Sequence, residues 1–476
     1  MASIVDKIVA FSGWIWGIPI VAFLACASIF MSIRLGFFQF RHFGYILKST
    51  LGKAFKKDEN RGEGTLTAFQ ALTSAVACTV GAGNIAGVPM AIMLGGPGAV
   101  FWMWVIAMLS MALKYSEIVL AVKYRKKQPN GEYEGGPSFY MTEGLQMKWL
   151  AVIFAIGLMI EVAISSMTQA NALAGSAQAS LNIPPIATGI VTMLLTGIVL
   201  IGGIKRLGEF TEKMVPIMAS MYVVCALIIV IINANQIPAM LTMIVQSAFV
   251  PMAPVGGFAG SSIALAVRWG FARGLYSNEA GLGTAPIAHA SATTDHPSRQ
   301  GLWGITEIFL DTIVICTCTA FVVLSTGAWQ DPSAATMEGV ALTTFAFSKV
   351  FGKFGGILVT IAMVMFVYST LLVLIWYGEK QAEFLMNKKA ALVYRWICIL
   401  LIPLGAIGAA TYLWQFLDLS LAIILFPNVI AILLLNKEIR EATLEFFQTP
   451  GKYFQEGRKR KGEAGSMRNS EVEKEG

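Results

Sequence analysis

Charge is scarce in this sequence. Only 13% of its 476 residues are Asp, Glu, Lys or Arg, against 56% hydrophobic, whereas about 25% of an ordinary soluble domain is charged. That balance excludes a chain that folds in water and implies one that folds in lipid. Histidine is scarcer still. His42, His289 and His296 make up the full set of three, all in or near expected cytoplasmic loops, so the apolar segments offer no His-based nucleophile pair or metal site. The six cysteines, Cys26, Cys78, Cys225, Cys316, Cys318 and Cys398, lie inside apolar segments without metal-ligand spacing and read as reduced structural thiols. No stretch alternates in the manner of an outer-membrane strand, and no long polar stretch marks a soluble domain.

What is present in their place is a recurrence of apolar stretches of roughly 20 residues, the length a helix needs to cross about 30 Å of hydrocarbon. Eleven such segments are centred in residues 14–33, 66–94, 98–122, 149–172, 184–203, 214–234, 242–272, 301–327, 354–377, 391–411 and 414–436. The first runs straight into "SIRLGFFQFRHF" with no small-residue cleavage site, so it reads as a retained span. An all-α integral membrane protein of eleven transmembrane helices follows. Of the 35 Lys and Arg, 29 fall in the loops after spans 1, 3, 5, 7 and 9 and in the tail, which places the N-terminus outside and the C-terminus in the cytoplasm. The net charge of +7 is thus a topology signal and calls for no nucleic acid. The chain divides into an N-terminal span with a basic loop (1–65), a core (66–436) and a charged cytoplasmic tail (437–476), whose last stretch, "GRKRKGEAGSMRNSEVEKEG", is polar enough to be disordered.

Without span 1, the remaining ten divide into five and five with opposite starting directions, spans 2–6 and spans 7–11, as inverted repeats require. The first helix of each half carries a glycine-rich interruption: "TVGAGNIAGVP" at 79–89, and "RGLYSNEAGLG" at 273–283. Breaking a helix at membrane depth frees amide and carbonyl groups that cost several kcal/mol each in hydrocarbon, so a break persists where it lines a cavity or binds something. Gly81, Gly83 and Gly87 let a ligand approach the backbone closely. Freed N–H groups at the start of the second half-helix suit a carboxylate, and freed carbonyls ending the first suit a small hard cation.

Polar residues at depth extend this reading. Asn84 either ligates a cation or caps the second half-helix. Glu161, Ser165, Thr168 and Gln169 share one face of span 4 and point it to the bundle interior; Gln169 bonds either a substrate amine or amide or another helix, and Glu161 reads as a paired structural acid. Ser369 and Thr370 offer two adjacent hydroxyls, for a ligand or for the preceding turn's carbonyls. Lys114 and Glu117 are spaced to form an i,i+3 pair. Asp311 is an intramembrane acid and hence a functional candidate, with Thr306 and Thr312 at hand to satisfy it.

"GGPGAVFWMW" at 95–104, "VGAGNIAGV" at 80–88, "GGPSFYM" at 135–141 and "SNEAGLGTAPIAHA" at 277–290 resemble the alanine or glycine:cation (sodium) symporter family of the amino acid-polyamine-organocation superfamily, over about residues 14 to 440. The resemblance implies a fold similar to the leucine transporter, a 5+5 inverted repeat with one extra N-terminal helix, and Na⁺-coupled transport of a small neutral amino acid. Carried onto this sequence, it implies that Gly81, Ala82, Gly83 and Asn84 form the substrate-binding break, with the amides of Ala82 and Gly83 on the carboxylate. Gln169, Tyr276, Ser277 and Asn278 would be further substrate contacts. One Na⁺ would lie near the carbonyls of Ala77 and Val80 and the hydroxyls of Ser369 and Thr370, and a second position near the Thr79 carbonyl and Asn84. Three positions depart from the family pattern: Ala82 where Thr or Ser is usual, Tyr276 for Phe, and Leu374 where Trp is frequent. A phenol gained and an indole lost change pocket volume and polarity, which keeps serine and glutamine beside alanine and glycine.

The sequence therefore implies a cytoplasmic-membrane symporter and not an enzyme, with a small neutral amino acid and the bilayer as partners, Na⁺ as the co-transported ion, no organic cofactor and no obligatory protein partner. Two competitors stay open: H⁺ coupling through Glu161 or Asp311, and a sensor that binds without flux.

Overall fold

The computed structural model describes residues 11–53, 62–256, 258–337, 339–408 and 410–449. With no water to satisfy amide groups, a chain this apolar closes its hydrogen bonds within each segment. The main helices are α1 (Phe11–Arg34), α2 (Ala68–Thr79), α3 (Ala82–Gly95), α4 (Gly98–Lys123), α5 (Lys148–Leu181), α6 (Pro185–Leu200), α7 (Gly203–Ile232), α8 (Ile237–Phe249), α9 (Ile263–Asn278), α10 (Ala285–Ala290), α11 (Pro297–Ser325), α12 (Gly339–Phe351), α13 (Lys353–Leu385), α14 (Lys388–Ala406), α15 (Ala410–Leu434) and α16 (Asn436–Gln448). The described sheet is a two-residue antiparallel ribbon pairing Lys126–Lys127 with Tyr133–Glu134.

Among the described residues, α1, α4, α5, α7, α11, α13, α14 and the apolar run of α15 are long enough to cross a membrane, and α2 with α3 makes a ninth crossing if the bent pair is one span. The expected count of eleven differs at two places. Helix α6 has 16 residues, short of a full crossing by length alone. Segment 242–272 is not one helix: α8 stops at Phe249 and α9 starts at Ile263. Between them lie Pro251 and Pro254, which disfavour helix, and Gly256 and Gly260 at φ +55° and +87°. Apolar composition alone does not reveal such a gap.

Two further helices are absent from the sequence reading. α12 packs against α3 and α13. α16 follows the last span directly, burying Ile439, Thr443 and Phe446, with Thr443 in a 2.9 Å hydrogen bond to Tyr115 of α4. The disorder expected of 457–476 lies outside the described residues.

α5 is the hub, packed against α13, α15 and α14, while α4 packs against α9, α11 and α1. Small residues bring these helices together, as they do in lipid. At Gly270 of α9 a Cβ would stand 2.4 Å from the Ala99 carbonyl oxygen, so α9 and α4 cross backbone to backbone. The outward faces of α6 and α7 carry Val191, Leu194 and Ile198, and Ile217, Val224 and Ile231, all exposed, as a lipid-facing belt requires.

Candidate functional site

The first break begins with a well-capped helix. Thr67 Oγ1 accepts a 3.0 Å hydrogen bond from the Gln70 N–H, and Gln70 Oε1 accepts one from the Thr67 N–H at 3.1 Å. α2 then runs to Thr79, the chain turns at Val80 and Gly81, and α3 leaves at 48° to it. Gly81 is where α5 and α13 converge: a Cβ there would lie 2.9 Å from Thr370 Oγ1 and 3.3 Å from Gln169 Nε2. The Ala82 N–H donates to Gln169 Oε1 at 3.4 Å. A methyl group at Gly81 would therefore press on both side chains.

On the other flank, Thr370 Oγ1 donates to the Ala77 carbonyl at 3.0 Å and lies 3.4 Å from the Cys78 carbonyl, and Ser369 Oγ is 3.4 Å from the Ala77 carbonyl. Both hydroxyls also back-bond to Phe366 at 2.9 Å, the second of the sequence's two alternatives for this pair. The last carbonyls of α2 and two hydroxyls of α13 thus face one another across the break.

Asn84 is oriented differently from a simple cation ligand. Its Oδ1 accepts the Gly81 N–H at 3.0 Å, which is the capping role, and its Nδ2 donates to Asp311 Oδ1 at 2.6 Å and to Ser277 Oγ at 2.9 Å. Ser277 and Thr312 also donate to Asp311 Oδ2, at 2.9 and 2.7 Å. Asp311 sits in a widened stretch of α11, Phe309–Cys316, whose five-residue turns are frequent at functional sites. This node joins α3, α9 and α11 through one carboxylate. Thr306, expected nearby, bonds Thr50 instead at 2.8 Å. Thr79 turns its hydroxyl to its own helix. Tyr276 lies over Gly83, its ring 3.1 Å from where a Cβ would be, with Arg273 5.8 Å above its centre and Trp414 6.0 Å away.

The second break satisfies its own backbone. After α9, Glu279 is left-handed at φ +53°, and Gly281 and Gly283 follow at +87° and +80°. Asn278 Oδ1 accepts the Ala280 N–H at 3.0 Å, and the Asn278 carbonyl accepts Lys114 Nζ at 3.0 Å. Asn428 of α15 donates to the Gly281 carbonyl at 2.8 Å and to Glu117 at 2.9 Å. Asn278, expected at the substrate, therefore directs its side chain to its own turn and to Ser110 of α4.

Two sequence expectations are corrected here. Lys114 does not pair with Glu117; its ammonium meets Glu307 Oε1 at 3.0 Å, with both side chains fully buried. The partner lies on α11, and spacing along one helix could not reveal it. His289 is buried rather than loop-exposed, with Gln300 2.8 Å from Nδ1 and Glu307 3.4 Å from Nε2.

A cavity of about 310 Å³ flanks α2, lined by Phe69, Leu72 and Val76 of α2, Val215 and the surface residue Ser220 of α7, and Ile315 of α11. It touches none of the break residues. Among the described residues no group of three or more His, Cys, Asp or Glu side chains is placed to hold a metal ion.

The profile of the sodium:alanine symporter family matches residues 1–460. The chain belongs to this family. An uncharacterized transporter of Bacillus subtilis is 49% identical over 450 residues, 94% of this chain and 95% of its own. The sodium/alanine symporter AgcS of Methanococcus maripaludis is 40% identical over 440 residues, 91% of this chain and 95% of its own. Among solved structures, a manganese transporter of Eremococcus coleocola superposes with a TM-score of 0.52 over 82% of this chain and 88% of that one at 14% identity, a likeness of fold. As a member of the sodium:alanine symporter family the chain is a multi-pass membrane transporter and not an enzyme. The family resemblance seen in the sequence is therefore correct, and the polar nodes it did not reveal, at Asp311, Lys114, Glu307 and Asn428, all join helices far apart in the chain.

Proposed function

We propose that this symporter carries small neutral amino acids, alanine and glycine foremost, into the cell with Na⁺, by alternating access around the first break. The observation that carries the proposal is the convergence of the Ala77 carbonyl with the Ser369 and Thr370 hydroxyls, within 3.4 Å, one turn from the Gln169 contact with Ala82. Oxygen donors of this kind suit a hard monovalent cation, and the adjoining start of α3 suits a carboxylate. The proposed substrate site comprises Gly81, Ala82, Gly83, Gln169, Tyr276 and Ser277, without Asn278, whose side chain is held by its own turn and by Ser110. The Na⁺ site takes Ala77, Val80, Ser369 and Thr370, and the second position near Thr79 and Asn84 has Asp311 as its anionic group.

Two short elements complete the architecture: α6, and α9 continuing through its break into α10, bring the crossings to eleven, in a 5+5 inverted repeat with α1 outside it. α2 and α10 are in contact, and α3 and α9 are in contact, which pairs inner half with inner half and outer with outer, as the repeat requires. The core occupies residues 66–436, the N-terminus lies outside and the tail in the cytoplasm, in the inner membrane.

The test is uptake of labelled alanine, glycine, serine and glutamine into proteoliposomes under an inward Na⁺ gradient, with K⁺ substituted at equal pH as control. Concentrative uptake with Na⁺ alone is expected; saturable binding with no uptake under either gradient would replace this reading with a sensor. The Tyr276 phenol, 6.0 Å from the Trp414 ring, and Leu374, buried on α13, support serine and glutamine as additional substrates. Tyr276→Phe is expected to reorder the four uptake rates, by about 10-fold or less for a change of one hydroxyl in a pocket. An unchanged ranking would place the phenol outside the pocket.

A further inference from the structure

The loop between α4 and α5 carries the ribbon of Lys126–Lys127 and Tyr133–Glu134, which neither the substrate site nor the Na⁺ site uses. It holds both broken helices by their ends. The Tyr133 N–H donates to Thr65 Oγ1 at 2.7 Å, just before α2, and the Tyr133 carbonyl accepts the Ser291 hydroxyl at 2.9 Å, just after α10. The Ser291 carbonyl in turn accepts the Thr65 and Leu66 N–H groups at 2.7 and 2.9 Å. Arg125 lies 4.6 Å from the centre of the Tyr133 ring and donates to the carbonyls of Glu63, Ala290 and Ala292 at 2.6, 3.1 and 2.5 Å. The ribbon, the entry to α2 and the exit of α10 therefore form one body.

α13 faces that body across a narrow seam. The ribbon ends in Gly135 and Gly136, the first residues of "GGPSFYM", and Gly136 has φ +115°. A Cβ at Gly135 would stand 2.7 Å from the Ala290 Cβ, and one at Gly136 2.9 Å from Ile287 Cγ1, so the chain passes against α10 where a side chain would not fit. Immediately afterwards it changes sides. Ser138 donates to Gln381 Oε1 of α13 at 2.5 Å, and the Phe139 ring lies 5.6 Å from that of Phe384. The space left among Glu134, Ile287, Ser291, Trp376 and Lys380 is about 10 Å³, room for about one water. Lys380 stands ten residues past Thr370 on α13, roughly 15 Å along the helix axis, so the seam closes one end of the bundle beyond the proposed cation position.

An ion pair bridges the seam. Lys380 Nζ bonds Glu134 of the ribbon and, at 2.9 Å, Glu383, one turn further along its own helix; the three side chains are 13–18% exposed. The lysines of the ribbon itself pair elsewhere, Lys126 with Glu143 and Lys127 with Glu63. A poorly hydrated ammonium is costly without a carboxylate, and two carboxylates on one ammonium repel each other. Glu383 travels with Lys380, whereas Glu134 does not. We propose that these three residues form the latch of the inner gate: on opening, Lys380 releases Glu134 and keeps Glu383, and the ribbon swings away from α13 with α10 and the entry to α2, hinged at Gly135 and Gly136. The proposal rests on the alternating-access reading above. Glu134 holds the gate shut, and Glu383 keeps the lysine paired once it is open, so the two carboxylates favour opposite states.

Access of a thiol reagent to the seam decides the matter. Ile287→Cys places a thiol in its wall, and the rate at which a maleimide labels that residue in the purified protein, read on its peptide by mass spectrometry, reports the open fraction without any substrate. In this background E134Q should label about 10-fold faster and E383Q about 3-fold slower, through the opposite shifts in population. E134D keeps the charge and should fall nearer the parent than E134Q does. Slower labelling in E383Q cannot arise from misfolding, which exposes thiols. If the three residues merely brace the end of α13, both neutral variants label faster; that result, or an unchanged rate in either, overturns the proposal. If the wild type shows no Na⁺-dependent uptake, the symport reading fails, and the labelling rates still judge the latch.

Discussion

Replacing Lys114 with methionine is expected to destabilise the detergent-solubilised protein by about 3–5 kcal/mol, the usual cost of removing one partner from a buried ion pair. The reason is local and specific. The Lys114 ammonium is fully buried, 3.0 Å from Glu307, and donates to the Asn278 carbonyl at the end of α9. Methionine keeps the stem's volume but leaves a buried carboxylate on α11 unneutralised, and it uncaps the negative end of α9 at the same stroke. The double variant K114M/E307Q removes the charge from both sides and should recover most of the loss, because an apolar replacement of a whole buried pair is often neutral. Thermal unfolding followed by tryptophan fluorescence provides the measurement. A single variant that melts with the wild type would mean that water reaches Glu307, and the pair would not anchor the second break.

Thr370→Ala should raise the Na⁺ concentration for half-maximal amino-acid binding by about 10- to 100-fold, or roughly 1.4–3 kcal/mol. It removes an oxygen that faces the Ala77 carbonyl at 3.0 Å, where the proposed cation is held. Binding of the amino acid at saturating Na⁺ should change much less, because Gln169 and the start of α3 are untouched. Linkage makes the coupling reciprocal: in the variant, as in the wild type, the factor by which the amino acid strengthens Na⁺ binding should equal the factor by which Na⁺ strengthens amino-acid binding. Thr370→Ser keeps the oxygen and should behave close to wild type. Equal Na⁺ dependence in T370A and wild type would remove Thr370 from the site.

The first break was legible because its signal is dense: three glycines and a proline within an apolar run have few structural meanings other than an interrupted helix, whereas Ser369 with Thr370 carried two readings and only the family resemblance pointed to a cation. The second break was legible in position but not in character. Its sequence, "SNEAGLG", announces a turn, yet whether the freed backbone is offered to a ligand or satisfied internally depends on Lys114 and Asn428, which arrive from α4 and α15. Segment 242–272 misled for a related reason. Apolar residues continue through the loop between α8 and α9, so hydropathy alone runs two elements into one. Asn84 carried two readings in the sequence, and the choice between them rests on Asp311, 227 positions away. Charge partners in a helix bundle are set by which faces meet, and one helix's spacing does not contain that.

The void beside α2 has a pharmacological meaning. Under the alternating access proposed above, a half-helix flanked by an apolar space can be stopped by whatever fills that space. A hydrophobic compound partitioning into the bilayer and lodging between Phe69, Val76, Val215 and Ile315 would act as a wedge. Its inhibition would be noncompetitive, undiminished by excess amino acid or Na⁺, and a bulky residue at Ser220 would mimic it.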